Sequence, residues 1–168
     1  YLFRCLGSSR GQIYFFQSSP QGATNLNISL TGLEARAAGY HVHLLPLKTG
    51  AEACSNENIM GHFNPYGVNI SLSPAPGNGT VDQYEIGDIS GKFGYLTDQT
   101  QFQNHYMDSN MPLSGPNSII GRSLVIHYRN GTRLSLLLIF IDLSLFNNFC
   151  IRISKVFLGI TELTCLHS

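Results

Sequence analysis

Polar and apolar residues alternate at every position between residues 25 and 30, which read Asn-Leu-Asn-Ile-Ser-Leu. Successive side chains of a β-strand point to opposite faces, so this alternation predicts a strand with one buried face. Residues 11–17, just before it, are rich in β-branched and aromatic side chains, and residues 18–22 supply a turn. The chain shows no helical heptad and no internal repeat. These features favour a fold built from short paired strands.

The same pattern continues along the chain. It predicts strands within residues 39–45, 81–86, 91–96 and 118–128, with Gly- and Asn-rich turns between them, and a fully buried strand within 134–141. Short strands at regular spacing are typical of an all-β sandwich or barrel, such as an immunoglobulin-like sandwich. Residues 46–79 read as one long loop, and a loop of that length in a small domain is usually functional or disordered.

Composition excludes several classes of partner. The 168 residues are 43% hydrophobic and 12% charged, which suits a packed core. Lys+Arg and Asp+Glu number 10 each, so the chain has no basic field for nucleic acid or an acidic membrane. Asp142, Arg152 and Lys155 interrupt the apolar C-terminal stretch, and we therefore predict no membrane span. Oligomeric state stays open.

Two residue types indicate the compartment. Four Asn-x-Ser/Thr acceptor sites for N-glycosylation are present, at Asn27, Asn69, Asn78 and Asn130. Four cysteines permit up to two disulfides in three possible connectivities, although free buried thiols are the alternative. We predict a secreted, extracellular glycoprotein.

Histidines carry the candidate chemistry. His41 and His43 stand at positions i and i+2 of a predicted strand, so their rings share a face roughly 6–7 Å apart. That spacing suits two ligands of one metal ion, although such a pair is also common as plain surface decoration. His62 in the long loop and His127 on a late strand bring the set to four nitrogen ligands, which favours Cu, Zn or Ni over Mg or Ca. His105 and His167 are expected to be solvated.

Several motifs occur together in a recognisable order: Gly39-Tyr40-His41-Val42-His43, then His62-Phe63-Asn64-Pro65, Gly87-Asp88, and residues 118–127 ending in His127. In combination they resemble the copper/zinc superoxide dismutase family over about residues 11–134. The resemblance implies a Greek-key β-barrel of about eight antiparallel strands. It implies copper on His41, His43, His62 and His127, with Arg133 positioning the substrate anion, superoxide.

Departures from the family pattern point to one branch of it. No histidine lies between His62 and His105, where two further zinc ligands belong, and Glu85 takes the place of one of them. Only residues 128–132 separate His127 from Arg133, so the usual charged loop is missing. These losses resemble the copper-only, extracellular branch, in which Glu85 and Asp88 would hold His62 by hydrogen bonds and zinc would be absent. The alternative is a surface acidic pair beside a glycine turn.

The end of the chain also departs from the family. The family pairs a cysteine matching Cys54 with one just after the arginine, but Leu136 stands there, so the disulfide partner of Cys54 is uncertain. We predict a barrel domain over residues 1–141 and an atypical, poorly ordered tail over 142–168. The resemblance implies a copper-dependent enzyme that converts superoxide to dioxygen and hydrogen peroxide. The alternatives are a non-catalytic copper-binding or structural module of a secreted protein, and a chain that does not fold.

Overall fold

The all-β prediction is confirmed by a computed structural model that describes residues 10–19, 21–47, 56–139 and 154–158. These residues form seven strands, against the predicted eight: β1 (Arg10–Phe16), β2 (Thr24–Thr31), β3 (Ala37–His43), β4 (Gln101–Asp108), β5 (Ser123–Tyr128), β6 (Arg133–Leu138) and β7 (Ser154–Leu158). Two short α-helices, α1 (Asn56–Ile59) and α2 (Ile89–Phe93), and two 3-10 helices, Ile70–Leu72 and Val81–Gln83, lie between β3 and β4.

All strand pairs are antiparallel, and the strands make two sheets with the orders β4-β2-β1-β7 and β3-β5-β6. The predicted alternation holds in β2, where Leu26, Ile28 and Leu30 are buried. They share one apolar core with Tyr40 and Val42 of β3. The two sheets are therefore joined by the side chains of every second residue, as in a β-sandwich.

The other face of the β3-β5-β6 sheet points away from this core. Val125 of β5 lies there and forms a small second cluster with Ile59 of α1 and Leu136 of β6. His41 and His43 have the opposite parity to Tyr40 and Val42, so their rings lie on this outer face. The long connection between β3 and β4 covers the face and brings polar residues to it.

Strands predicted within 81–86 and 91–96 are wrong, because this stretch forms a 3-10 helix and α2 instead. Side-chain caps favour the helical turns. The Gln83 side chain accepts a hydrogen bond from the Thr80 backbone N–H (2.9 Å), and the Asp88 carboxylate accepts one from the Gly91 N–H (2.7 Å) at the start of α2. Such local hydrogen bonds compete with strand pairing.

Strand β4 is not predicted by the sequence pattern. It pairs with β2 along its whole length, from Thr24↔Asp108 to Thr31↔Gln101, although most of its side chains are exposed. Strand β7 pairs with β1 and is the part of the predicted tail that the structure describes. The remainder of the tail lies outside the described residues, so the domain division at residue 141 stays a prediction. Cys54 also lies outside the described residues. Within the described ranges no helix is long and apolar enough to cross a bilayer.

Candidate metal centre

Three chain segments meet through their backbones at the edge of the β3-β5-β6 sheet, along the side of β3 that does not face β5. The Val42 N–H donates to the Gly87 carbonyl (2.8 Å), and the Val42 carbonyl accepts from the Phe63 N–H (2.8 Å). The Gly87 N–H closes the set by donating to the Phe63 carbonyl (3.0 Å). Val42 lies between His41 and His43, Phe63 follows His62, and Gly87 precedes Asp88. Hydrogen bonds between the segments therefore fix the spacing of these polar side chains.

His127 reaches the same face from β5 at an irregularity in the sheet. The β5–β6 register shifts between Ile126 and His127, so Ile126 pairs with Ser135 and His127 pairs with Arg133. Bulges of this kind re-aim a side chain and occur often beside functional sites. The β5–β6 hairpin closes tightly, with the Tyr128 N–H donating to the Thr132 carbonyl (2.7 Å).

Three of the four rings use Nδ1 as a hydrogen-bond donor. The Nδ1–H of His43 donates to the Met60 carbonyl (2.7 Å), and that of His127 donates to the Gly131 carbonyl (3.0 Å). The Nδ1–H of His62 donates to the Glu85 carboxylate (2.7 Å). A neutral imidazole carries one proton, so each of these rings keeps the lone pair at Nε2 for another partner.

His41 uses its other nitrogen. Its Nε2 lies 2.8 Å from Ser90 Oγ and 3.4 Å from the Asp88 carboxylate. Its Nδ1 is buried and has no hydrogen-bond partner among the described residues. An unpaired buried polar atom is costly and needs an explanation, such as an ion bound at that atom. The His41 ring also stacks on His62, with ring centroids 4.0 Å apart.

Three of the rings converge closely. One ligand atom each from His41, His62 and His127 lies within 4.8 Å of the others, a grouping that could hold a metal ion. His43 is outside that triplet, but its Nε2 lies 3.3 Å from Nε2 of His127. The structure thus gathers all four predicted histidines, and it places His105 apart from them, exposed on β4. Neutral imidazoles with a free lone pair suit copper, zinc or nickel.

Burial favours the neutral form of His41, His43 and His127. It lowers the pKa of His43 to about 3; electrostatic interactions with His62, His127 and Arg133 also lower this pKa, whereas the hydrogen bond to Met60 raises it. Burial likewise lowers the pKa of His127 to about 4, and it lowers the pKa of His41. A metal binds the unprotonated ring, so these three rings can accept a cation at neutral pH without losing protons first.

Both acidic residues predicted beside the histidines contact them. The buried Glu85 carboxylate accepts from His62, and Asp88 lies against His41. Burial alone would raise the pKa of Asp88, but its hydrogen bonds to His41 and to the Gly91 N–H leave this pKa lowered overall. Asp88 therefore remains a carboxylate at neutral pH. Of the two, only Glu85 contacts His62 within hydrogen-bond distance.

Two arginines flank the cluster on the β5–β6 side. Arg133 is half-buried, and its charge lowers the pKa values of His43 and His127, so its guanidinium is within electrostatic reach of both rings. Arg129 is exposed and pairs with Asp98 at 2.5 Å. Arg129 and Gly131 line an open cavity of about 580 Å³ together with His41, His62 and His127.

Sequence reasoning missed two residues that shape the centre. Ser90 contacts His41, and its only signal was a position two residues after Asp88. Gly39 packs so closely that a Cβ built on it would lie 2.6 Å from Cε1 of His41. The four predicted glycosylation acceptors, Asn27, Asn69, Asn78 and Asn130, are all exposed.

Comparison with known proteins gives one consistent family. A family model described as copper/zinc superoxide dismutase (SODC) matches residues 9–132, a stretch that contains all four histidines and ends directly before Arg133. The chain is 32% identical over 124 residues to the cell surface Cu-only superoxide dismutase 5 of Candida albicans, covering 71% of this chain and 50% of that relative. It is 31% identical over 118 residues to superoxide dismutase [Cu-Zn] 2 of Brassica juncea, covering 70% and 69%.

A solved structure agrees with these matches. The copper(II) form of Candida albicans superoxide dismutase 5 superposes with a TM-score of 0.59 at 28% identity, covering 78% of this chain and 90% of that one. This chain spans about half the length of the two Candida relatives it matches, superoxide dismutases 5 and 4.

Proposed function

The chain belongs to the copper/zinc superoxide dismutase family, and on that premise we propose that it converts superoxide to dioxygen and hydrogen peroxide at a copper ion. The ligands in this proposal are the four clustered histidines, His41, His43, His62 and His127. One observation supports it above the others: the buried Nδ1 of His41 lacks a hydrogen-bond partner in the described residues, while each of the other three rings donates its Nδ1–H and so keeps the lone pair at Nε2.

Copper, when bound, would supply the alternation between two oxidation states that disproportionation of superoxide requires. The chain's own residues hold the rings. Backbone carbonyls orient His43 and His127, and carboxylates orient His62 and His41. Groups that fix a ligating ring in this way typically raise metal affinity by 10–100-fold.

Arg133 is proposed to attract and orient the superoxide anion. A guanidinium keeps its charge at any relevant pH and offers forked donors to a small anion. Burial lowers the pKa of Arg133, but from a value so high that the charge is retained. With Lys+Arg equal to Asp+Glu at 10 each, no overall field would steer the anion, so this local charge carries the task.

A copper-only centre without zinc is also part of the proposal. Glu85 takes one zinc-ligand position and bonds directly to His62, while Asp88 is engaged by His41, Ser90 and Gly91. These hydrogen bonds give both carboxylates roles that need no second metal. Elemental analysis of purified protein should find copper and no stoichiometric zinc, and a full equivalent of zinc beside copper would contradict the copper-only assignment.

We further propose that the protein is an extracellular glycoprotein. The exposed acceptors Asn69 and Asn130 stand in tight turns, where the Ser71 and Thr132 hydroxyls donate to their side-chain oxygens at 2.8 and 2.7 Å. The Candida relatives are named as cell-surface proteins. Cys54 is proposed to form a disulfide whose partner peptide mapping under non-reducing conditions would identify. A Cys54 that maps as a free thiol would contradict this part.

The function is tested by following superoxide decay in stopped flow. Copper-loaded wild-type chain should accelerate the decay, whereas His127→Ala should lose copper and activity together. His105→Ala is the matched control, because His105 is exposed and lies outside the cluster. Since the family match ends before Arg133, a copper-binding module without turnover is the second candidate. A chain that binds copper through these histidines but leaves superoxide decay unchanged would favour it.

A further inference from the structure

Lys92 of α2 and Asp108 at the end of β4 form an ion pair that is sealed from solvent. Their Nζ and Oδ2 atoms lie 2.7 Å apart, and both side chains are 0% exposed. Removing two charges from water is expensive, and apolar residues of similar volume often stabilise a core as well or better. The pair therefore calls for an explanation beyond core filling.

The pair makes further bonds on both sides. Lys92 Nζ also donates to the Ile86 carbonyl (3.0 Å), and Asp108 Oδ1 accepts from the Asn110 N–H (2.7 Å). Both carboxylate oxygens and two ammonium protons are thus engaged. Through Lys92, the end of β4 is connected to the backbone at residue 86.

Residue 86 lies inside the segment that carries the acidic pair. Ile86 directly follows Glu85, whose carboxylate accepts from His62, and it stands two residues before Asp88, which contacts His41. The Lys92 backbone N–H donates to the Asp88 carbonyl (3.2 Å), so Lys92 is hydrogen-bonded to this segment at both residue 86 and residue 88. A methionine or leucine could fill the same volume but would give the Ile86 carbonyl no donor.

We propose that Lys92 and Asp108 are positioning residues of the metal centre: their buried ion pair holds segment 85–88 so that Glu85 and Asp88 orient the rings of His62 and His41. This inference rests on the proposed function, because orienting the rings matters only if they bind copper. The ring orientation itself can be measured in the metal-free protein, so failure of this inference and failure of the proposed function are distinguishable.

The test uses a double variant, Lys92→Met/Asp108→Leu, which removes both charges and leaves neither charge unpaired. Apolar replacement of a buried ion pair is often neutral or stabilising, but here the Ile86 carbonyl and the Asn110 N–H lose their partners, so the variant is expected to unfold near or slightly below the wild-type temperature. Long-range ¹H–¹⁵N spectra of the metal-free protein report the tautomer of each imidazole. Wild type should show His62 protonated at Nδ1 and His41 protonated at Nε2. The double variant should show averaged tautomers at both rings and about tenfold weaker copper binding.

Ile28→Ala is the matched control, because the Ile28 side chain is buried in the common core on β2 but, being apolar, makes no hydrogen bond to segment 85–88. It should lower the unfolding temperature and keep both tautomers. Should the double variant fail to fold, the same tautomer and copper-binding measurements are made on Asp108→Asn, which keeps the side-chain shape and weakens the ion pair. The proposal is overturned if the folded variant keeps both wild-type tautomers and binds copper within about twofold of wild type.

Discussion

The Nε2 atoms of His43 and His127 lie 3.3 Å apart, and both carry lone pairs because each ring donates its Nδ1–H to a backbone carbonyl. Two lone pairs at that distance repel, and a cation between or beside them removes the repulsion. Burial makes a proton a poor choice for that cation, since it lowers the pKa of His43 to about 3. The arrangement is therefore better suited to a bound metal ion.

Gly39→Ala should weaken copper binding by roughly 10–100-fold, the usual effect of displacing a group that orients a ligand. A Cβ at Gly39 would meet Cε1 of His41 at 2.6 Å and its Nε2 at 3.2 Å, so the ring must move. The measurement is copper affinity by competition with a chelator. Gly61→Ala is the control, because in the described structure nothing lies within 4 Å of a Cβ at Gly61. Equal affinities for the two variants would refute the role given to Gly39.

Arg133→Ala should lower the superoxide rate by about 10–100-fold, or about 1.4–2.7 kcal/mol in the barrier, while copper binding survives. Arg133→Lys should recover part of the rate, because lysine restores the positive charge but not the paired N–H donors of the guanidinium. Arg129→Ala serves as the neighbouring control, since the Arg129 guanidinium is already engaged by Asp98. A rate that depends on Arg129 and not on Arg133 would instead place the anion site at Arg129, in the cavity that Arg129 lines with His41, His62 and His127.

The metal-free protein should lose stability as the pH falls below about 6.5. The pKa of His43 is lowered to about 3 in the folded state, so between these values the unfolded chain binds a proton that the folded chain does not. The resulting slope is up to about 1.4 kcal/mol per pH unit for this group. Urea unfolding across this range should show a shallower slope for His43→Gln. Parallel slopes for wild type and variant would contradict a buried neutral His43.

Much of the scaffold could be predicted from residue periodicity. Alternation in β2 and the parity of Tyr40, His41, Val42 and His43 in β3 fix which side chains enter the core and which rings share the outer face. Period-two patterns carry this information because one face of each strand is buried.

The rest depends on contacts between distant parts of the chain. Strand β4 has mostly exposed side chains, so its strand conformation comes from pairing with β2 and leaves little apolar signal. Strands are predicted within residues 81–86 and 91–96, yet the side-chain caps at Gln83 and Asp88 favour helical turns there. The Ser90 contact to His41 and the Lys92–Asp108 pair likewise require the folded backbone.

The most direct test of the account is a copper titration of the metal-free wild-type chain with superoxide decay as the readout. The rate should rise in proportion to added copper and break sharply at one copper per chain, and His127→Ala should show no such break. A wild-type chain that takes up one tightly held copper through its histidines, yet decomposes superoxide no faster than the metal-free chain, would contradict the proposed enzyme.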